Sequence, residues 1–102
     1  MASKTKEHRR RALDAAKAYA ERSGMCVLEP VPGGFHASDR GEDVYVAVRF
    51  RASQSAPAMF WSATAAQRRR ARRARWRLDV ICLRLFSPDR ALLRHMRACA
   101  TE

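Results

Sequence analysis

Residues 77 to 86, RLDVICLRLF, constrain the chain more than any other stretch. Successive side chains of a strand point to opposite faces, so a strand apolar on both faces must be covered on both, as the central strand of a helix-flanked sheet is. Residues 44 to 51, VYVAVRFR, form a second strand with a different balance. Val44, Val46, Val48 and Phe50 share a core face, while Tyr45, Ala47, Arg49 and Arg51 share the other. Two guanidinium groups thus end a strand that otherwise reads as buried. A charge run is ordinarily only a solvated edge, but strand ends bordering a sheet face also carry functional groups in α/β folds.

The rest of the chain supplies the covering elements. Ala12, Leu13, Ala16, Tyr19 and Ala20 make one helical stripe within residues 5 to 23, and Gly24 stops that helix. MCVLE, 25 to 29, reads as a short strand ended by PVPGG; FHAS, the loop DRGED and VYVAVRFR read as a hairpin. ASQSAPA, 52 to 58, is a connector. The helix expected over 62 to 75 has Ala63, Ala66, Ala71 and Ala74 toward the sheet, Arg70 intruding on that stripe, and Arg68, Arg72 and Arg75 together elsewhere. After RLDVICLRLF, Ser87 as N-cap, Pro88 at N1 and Asp89 in the first turn predict a closing helix, with Leu92, Leu93, Met96, Cys99 and Ala100 inward and Arg90, Arg94 and Arg97 outward. The expected fold is therefore a single small α/β domain over residues 1 to 102, with a mixed sheet of about four strands flanked by three helices.

Charge narrows the partners. Twenty-one Lys and Arg against ten Asp and Glu give a net charge of +11, a field that favours polyanions. Arg outnumbers Lys 18 to 3 and Ala occurs 19 times, as coding bias alone would give, but such bias exchanges Lys for Arg without raising the cation excess. RRRARRARWR, 68 to 77, holds seven arginines and no acid. In a helix this tract can follow phosphates, and Trp76 offers a stacking surface; the plainer alternative is a solvated face with Trp76 in the core. No Asn or Gln stands among these arginines to read a groove, so binding without sequence preference is expected.

Cys26, Cys82 and Cys99 are odd in number and lack metal-ligand spacing, which points to free thiols in a reducing cytoplasm. The N-terminal residues carry no apolar region of the kind a signal sequence needs, and no run approaches the roughly 20 apolar residues of a membrane span. A soluble, cytoplasmic protein with no membrane partner is expected.

Several strings, in order, resemble the YraN-type family of predicted endonucleases, which has the restriction-endonuclease-like fold. DAAKAYAERSGMCVLEPV is similar to that family's first helix and strand, VYVAVRFR to its V-F-V-E-V-K-x-R strand, ATAAQRRRARRA to its basic helix, RLDVICL to a later strand and DRALLRHMRACA to its closing helix. The resemblance implies a hairpin acid, a strand Glu-x-Lys and a helix acid that hold a divalent metal and position water. This chain departs at those positions. The Glu falls on Ala47, the Lys on Arg49, the hairpin acid on Gly34 or His36, and the helix acid near Leu13, beside Asp14. Alanine binds no metal and arginine is a poor general base.

The expectation is a nucleic-acid-binding, catalytically degenerate endonuclease-like protein, with Arg49, Arg51, Arg68, Arg69, Arg72, Arg73, Arg75 and Arg77 contacting DNA or RNA and no catalytic residue, metal or cofactor assigned. One alternative is a metal-dependent nuclease rebuilt from Glu29, Asp39, Glu42, Asp43 or Asp79 with His36. Another is a homodimeric interaction domain, with Phe60 and Trp61 as dimer patch rather than core. His8 and His95 are read as surface residues on basic helices, Asp39, Glu42 and Asp43 as turn residues, and Asp79 as structural.

Overall fold

A computed structural model describes residues 2–52, 61–87 and 90–102. Its first helix, α1 (Ala2–Arg22), lies on the sheet because its buried side chains are small. Ala12, Ala16 and Ala20 are fully buried, with Leu13 and Tyr19 packed at the margin, so the helix axis approaches closely. The helix ends at Gly24, which takes a φ of 99°. Gly24 N–H donates to Glu21 O (3.1 Å) and Met25 N–H to Ala20 O (3.0 Å), the two bonds of a Schellman cap.

Three antiparallel strands follow: β1 (Cys26–Val31), β2 (Gly34–Asp39) and β3 (Glu42–Arg51). β1 runs through Pro30, past the expected stop at residue 29. Proline is tolerated there because β1 is the sheet's outer strand and has no further neighbour to bond. The turn between β2 and β3 is only Arg40–Gly41, both at positive φ (54° and 85°), the pattern of a tight hairpin whose twist matches its strands.

The second helix, α2 (Ala65–Ala74), carries the chain from β3 to β4 (Arg77–Ser87), which pairs parallel to β3. The last element corrects the sequence reading: residues expected as a closing helix form β5 (Arg90–Cys99), antiparallel to β4. Ser87 ends β4 instead of capping a helix, and Pro88 and Asp89 lie outside the described residues. The physical reason is the outer edge of β4, whose buried backbone N–H and C=O groups need partners that a helix cannot give. The fold is thus α/β, and among the described residues it has a five-stranded mixed sheet, β1-β2-β3-β4-β5, and two helices, where about four strands and three helices were expected.

Two apolar layers result. Phe35, Val44, Val46, Ile81, Leu83 and Leu85 pack beneath α1, and Tyr45, Ala47, Leu78, Val80 and Cys82 pack beneath α2. β3 and β4 are therefore covered on both faces, as RLDVICLRLF demanded. Trp61 joins the second layer, in agreement with its reading as a core residue, while Phe60 lies outside the described residues. Among the described residues no helix is long and apolar enough to cross a membrane.

Candidate nucleic-acid interface

The orientation of α2 decides which arginines face outward. Thr64 caps it with a reciprocal box: the Thr64 hydroxyl accepts from Gln67 N–H (3.1 Å), and Gln67 Oε1 accepts from Thr64 N–H (2.8 Å). The same glutamine amide donates from Nε2 to Gly33 O (3.0 Å), tying the helix to the turn between β1 and β2. Gly33 is at φ 82°, and a Cβ there would stand 2.8 Å from the Tyr45 hydroxyl and 3.1 Å from Gln67 Nε2. That hydroxyl donates to Pro32 O (2.6 Å), and burial pushes its pKa up while nearby Arg70 pulls it down. The buried stripe is accordingly Ala63, Gln67 and Ala71, and the expected Ala66 and Ala74 are exposed. A glutamine replaces two alanines at the interface because all its polar atoms there are satisfied.

At 100° per residue, Arg69, Arg72 and Arg73 then point away from the sheet, and all three are exposed. Arg75 extends the band: it ends the helix in a left-handed conformation (φ 59°) with its side chain in solvent. Arg72 Nη1 donates to Thr101 O (2.8 Å), which holds the group without neutralising it. Among the described residues, no carboxylate lies within 4.0 Å of any arginine of α2 or of Arg75. Arg68 is half-buried and donates to Ala63 O, which ranks it behind its neighbours as a phosphate contact.

Arg49 and Arg51 lie at the C-terminal end of β3, beside the start of α2. Arg49 Nη1 donates to Ser62 O (2.6 Å), and the exposed Arg51 guanidinium lies 5.4 Å from the centre of the Trp61 ring. They sit on the α2 face of the sheet, as the alternation of VYVAVRFR requires.

Arg77 is misplaced in the sequence reading. Opposite Val44 in the ladder, it faces α1, and its side chain is 16% exposed. Its Nε and Nη2 donate to Asp79 (2.9 and 3.0 Å), Nη2 to Asp39 (2.9 Å) and Nη1 to Glu42 (2.9 Å). Bonds to these three carboxylates, that to Asp79 foremost, raise its pKa despite burial. It is a structural cation and leaves the proposed contact set.

Asp79 joins Arg77 to groups distant along the chain. Its Oδ2 lies 2.8 Å from His95 Nε2, and Oδ1 accepts Ala98 N–H at 3.0 Å. His95 Nδ1 in turn lies 3.0 Å from the Tyr19 hydroxyl of α1. In the neutral ring, Nε2–H donating to the carboxylate leaves Nδ1 to accept the tyrosine proton. His95 was read as a surface residue of a helix; its side chain is 4% exposed on β5. Burial works against the Asp79 carboxylate, but bonds from His95, Arg77 and Ala98 N–H outweigh it and lower the pKa to about 2.

His36, on β2 of the hairpin, is partly exposed. Its side chain is 13% exposed, stacked on Trp76 with ring centres 3.8 Å apart, and Nε2 is 2.9 Å from Asp43 Oδ1. Glu29 stands 3.8 Å from its Nδ1. Trp76 is therefore occupied by a histidine and is not an open stacking platform.

The positions that the resemblance would give to a metal do not fit one. Ala47 is fully buried among Tyr45, Ala63, Ala71 and Val80. A Cβ on Gly34 would come within 1.8 Å of Val46 O. Asp14 belongs to α1, across the sheet from Ala47, and is exposed beside Arg10 (3.7 Å). Among the described residues, no group of three or more His, Cys, Asp or Glu side chains is arranged to hold a metal ion. The thiols are free, with Cys26 exposed, Cys82 buried and Cys99 half-buried. No family model, no curated protein and no solved structure matches the chain.

Proposed function

We propose that this chain is a nucleic-acid-binding protein that engages the phosphate backbone without reading sequence, through the outer face of α2 and its C-terminal cap. The observation that carries the reading is the band of Arg69, Arg72, Arg73 and Arg75: four exposed guanidinium groups with no carboxylate within ion-pair distance among the described residues. Arg10, Arg77 and Arg97, by contrast, stand against carboxylates. Self-repulsion along one helix is relieved by a polyanion, and phosphate contacts of this kind position a polymer without discriminating its bases.

The order helix, three antiparallel strands, helix, parallel strand supports the kinship to restriction-endonuclease-like domains suggested by the sequence, with β5 in place of that family's closing helix. On this reading the domain kept the scaffold and lost the chemistry, since the strand positions for Glu and Lys are a buried alanine and an arginine spent on Ser62 O. The test is to incubate the protein with two duplexes of unrelated sequence in magnesium or manganese and to follow both binding and cleavage. Equal affinity for the two with no cleavage is expected. Strong preference for one duplex, or cleavage abolished by EDTA, would refute the reading, and the latter would favour a nuclease with relocated ligands.

A further inference from the structure

The α2 side of the sheet carries an organised set of side chains, and its exposed part among the described residues is on β5, where Leu92 and Arg94 are exposed and Met96 is half-buried. By the ladder register, β3, β4 and β5 present three rows on that face: Ala47, Val80 and Met96; Arg49, Cys82 and Arg94; Arg51, Arg84 and Leu92. The first row is apolar, and the next two bring four arginines together at one end of the sheet. Residues 61 to 63 cross this face, where the Cys82 thiol donates to Trp61 O (3.3 Å). Burial raises the Cys82 pKa, and Arg49 and Arg94, from either side, both act to lower it. Aromatic rings stand at the same end, with Arg51 over Trp61 and the Arg84 guanidinium 4.5 Å from the centre of Phe86.

Between this crossing segment, β5 and the residues after it lies a cavity of about 310 Å³. Its apolar lining includes Val80, Met96, Cys99 and Ala63, and Arg68 and Glu102 add charged groups to it. That volume is at the small end of ligand clefts, which run to roughly 300–1,000 Å³, and two sulfur atoms make the lining favourable to a flat aromatic ring. Glu102 can accept from a ring or exocyclic N–H, while Arg68 and, one row away, Arg94 suit a phosphate on either side of such a ring.

We infer that the α2-side face of β5 takes single-stranded nucleic acid, with one unpaired base in the Val80–Met96–Cys99 cavity and the flanking phosphates on Arg68 and Arg94. A duplex cannot use this cavity because its bases are paired and stacked, so it engages the arginine band of α2 alone. The inference rests on the nucleic-acid reading above and adds a strand preference to it.

The test compares a short oligothymidylate with an abasic oligonucleotide of the same length, equal in charge, and with a duplex, by fluorescence anisotropy at low salt. A Cys26→Ser protein is used in parallel, so that alkylation of the half-buried Cys99 reports on the cavity without the exposed thiol. The expected result is that oligothymidylate binds about tenfold more tightly than the abasic strand, the lower range for a single accommodated base, and slows alkylation of Cys99, whereas the abasic strand and the duplex do not. Equal affinity for the two single strands, or unchanged alkylation, overturns the inference while duplex binding upholds the broader reading. Absence of binding to every polymer overturns both.

Discussion

Asp79→Ala lowers the free energy of unfolding by about 2–5 kcal/mol, because it leaves two buried donors unpaired at about 1–3 kcal/mol each. The carboxylate is fully buried, and four N–H groups converge on it: two of Arg77, one of His95 and the backbone N–H of Ala98. Removing it strands each in a different way. Arg77 keeps Asp39 and Glu42, so its charge stays compensated at the surface, whereas His95 and the Ala98 N–H lose a bonding partner inside the fold. Ala98 matters most to the shape of β5. Val80 pairs with Met96 and Leu78 with Cys99, so two residues of β5 oppose Asp79 alone in a β-bulge, and Ala98 sits in it at φ 50°. The carboxylate supplies the bond that the bulge withdraws from the ladder.

The same group gives the protein an acid-sensitive component of stability. Its folded pKa, lowered to about 2 from the ordinary 3.8, means that the stabilisation is present above the unfolded value and is lost as pH falls from near 4 toward 2. That loss amounts to about 2 kcal/mol. Urea denaturation of the wild type across this range should show it, and the Asp79→Asn protein, which cannot titrate there, should show a correspondingly flatter dependence. Equal slopes for the two proteins would mean that the Arg77–Asp79–His95 network does not hold β5 as described.

Replacing Arg69, Arg72 and Arg73 together with glutamine weakens duplex binding by about 10²–10³ at 0.1 M salt, because three phosphate contacts each release close to one counterion. Glutamine is a good helix former, and none of the three side chains is buried, so α2 should persist. All duplex sequences should lose affinity alike, and the log–log salt slope should become shallower by about 3. Arg10→Gln on α1, where Glu7 and Asp14 already flank the cation, should leave binding unchanged. Anisotropy titrations of both variants against one labelled duplex separate the two faces of the molecule; equal losses would move the interface away from α2.

The parts of this fold legible in the sequence are those set by local pattern. Alternation placed β3, a run apolar on both faces placed β4, the Ala12–Ala16–Ala20 stripe placed α1, and Gly24 marked its end. β5 was illegible for a physical reason: the bulge at Ala98 returns Cys99 to the same face as Met96, three residues earlier, so a bulged strand reproduces helical spacing. A cap-like Ser-Pro-Asp completed the misreading. The band on α2 was read correctly as basic, but its phase was not, because a buried Gln67 satisfied by Gly33 O has no local signature. Arg77 looked continuous with the arginine run, yet the helix ends before it, and strand alternation turns it toward Asp79. Contacts such as Tyr19 to His95, 76 residues apart, exist only once the sheet has formed.

The most direct test of the central claim is the salt dependence of duplex binding by the wild-type protein. Engagement of Arg69, Arg72, Arg73 and Arg75, with Arg51 at the margin, requires the logarithm of the association constant to fall linearly with the logarithm of salt concentration, at a slope of about −4. No binding at low ionic strength, or a slope near zero, would contradict it.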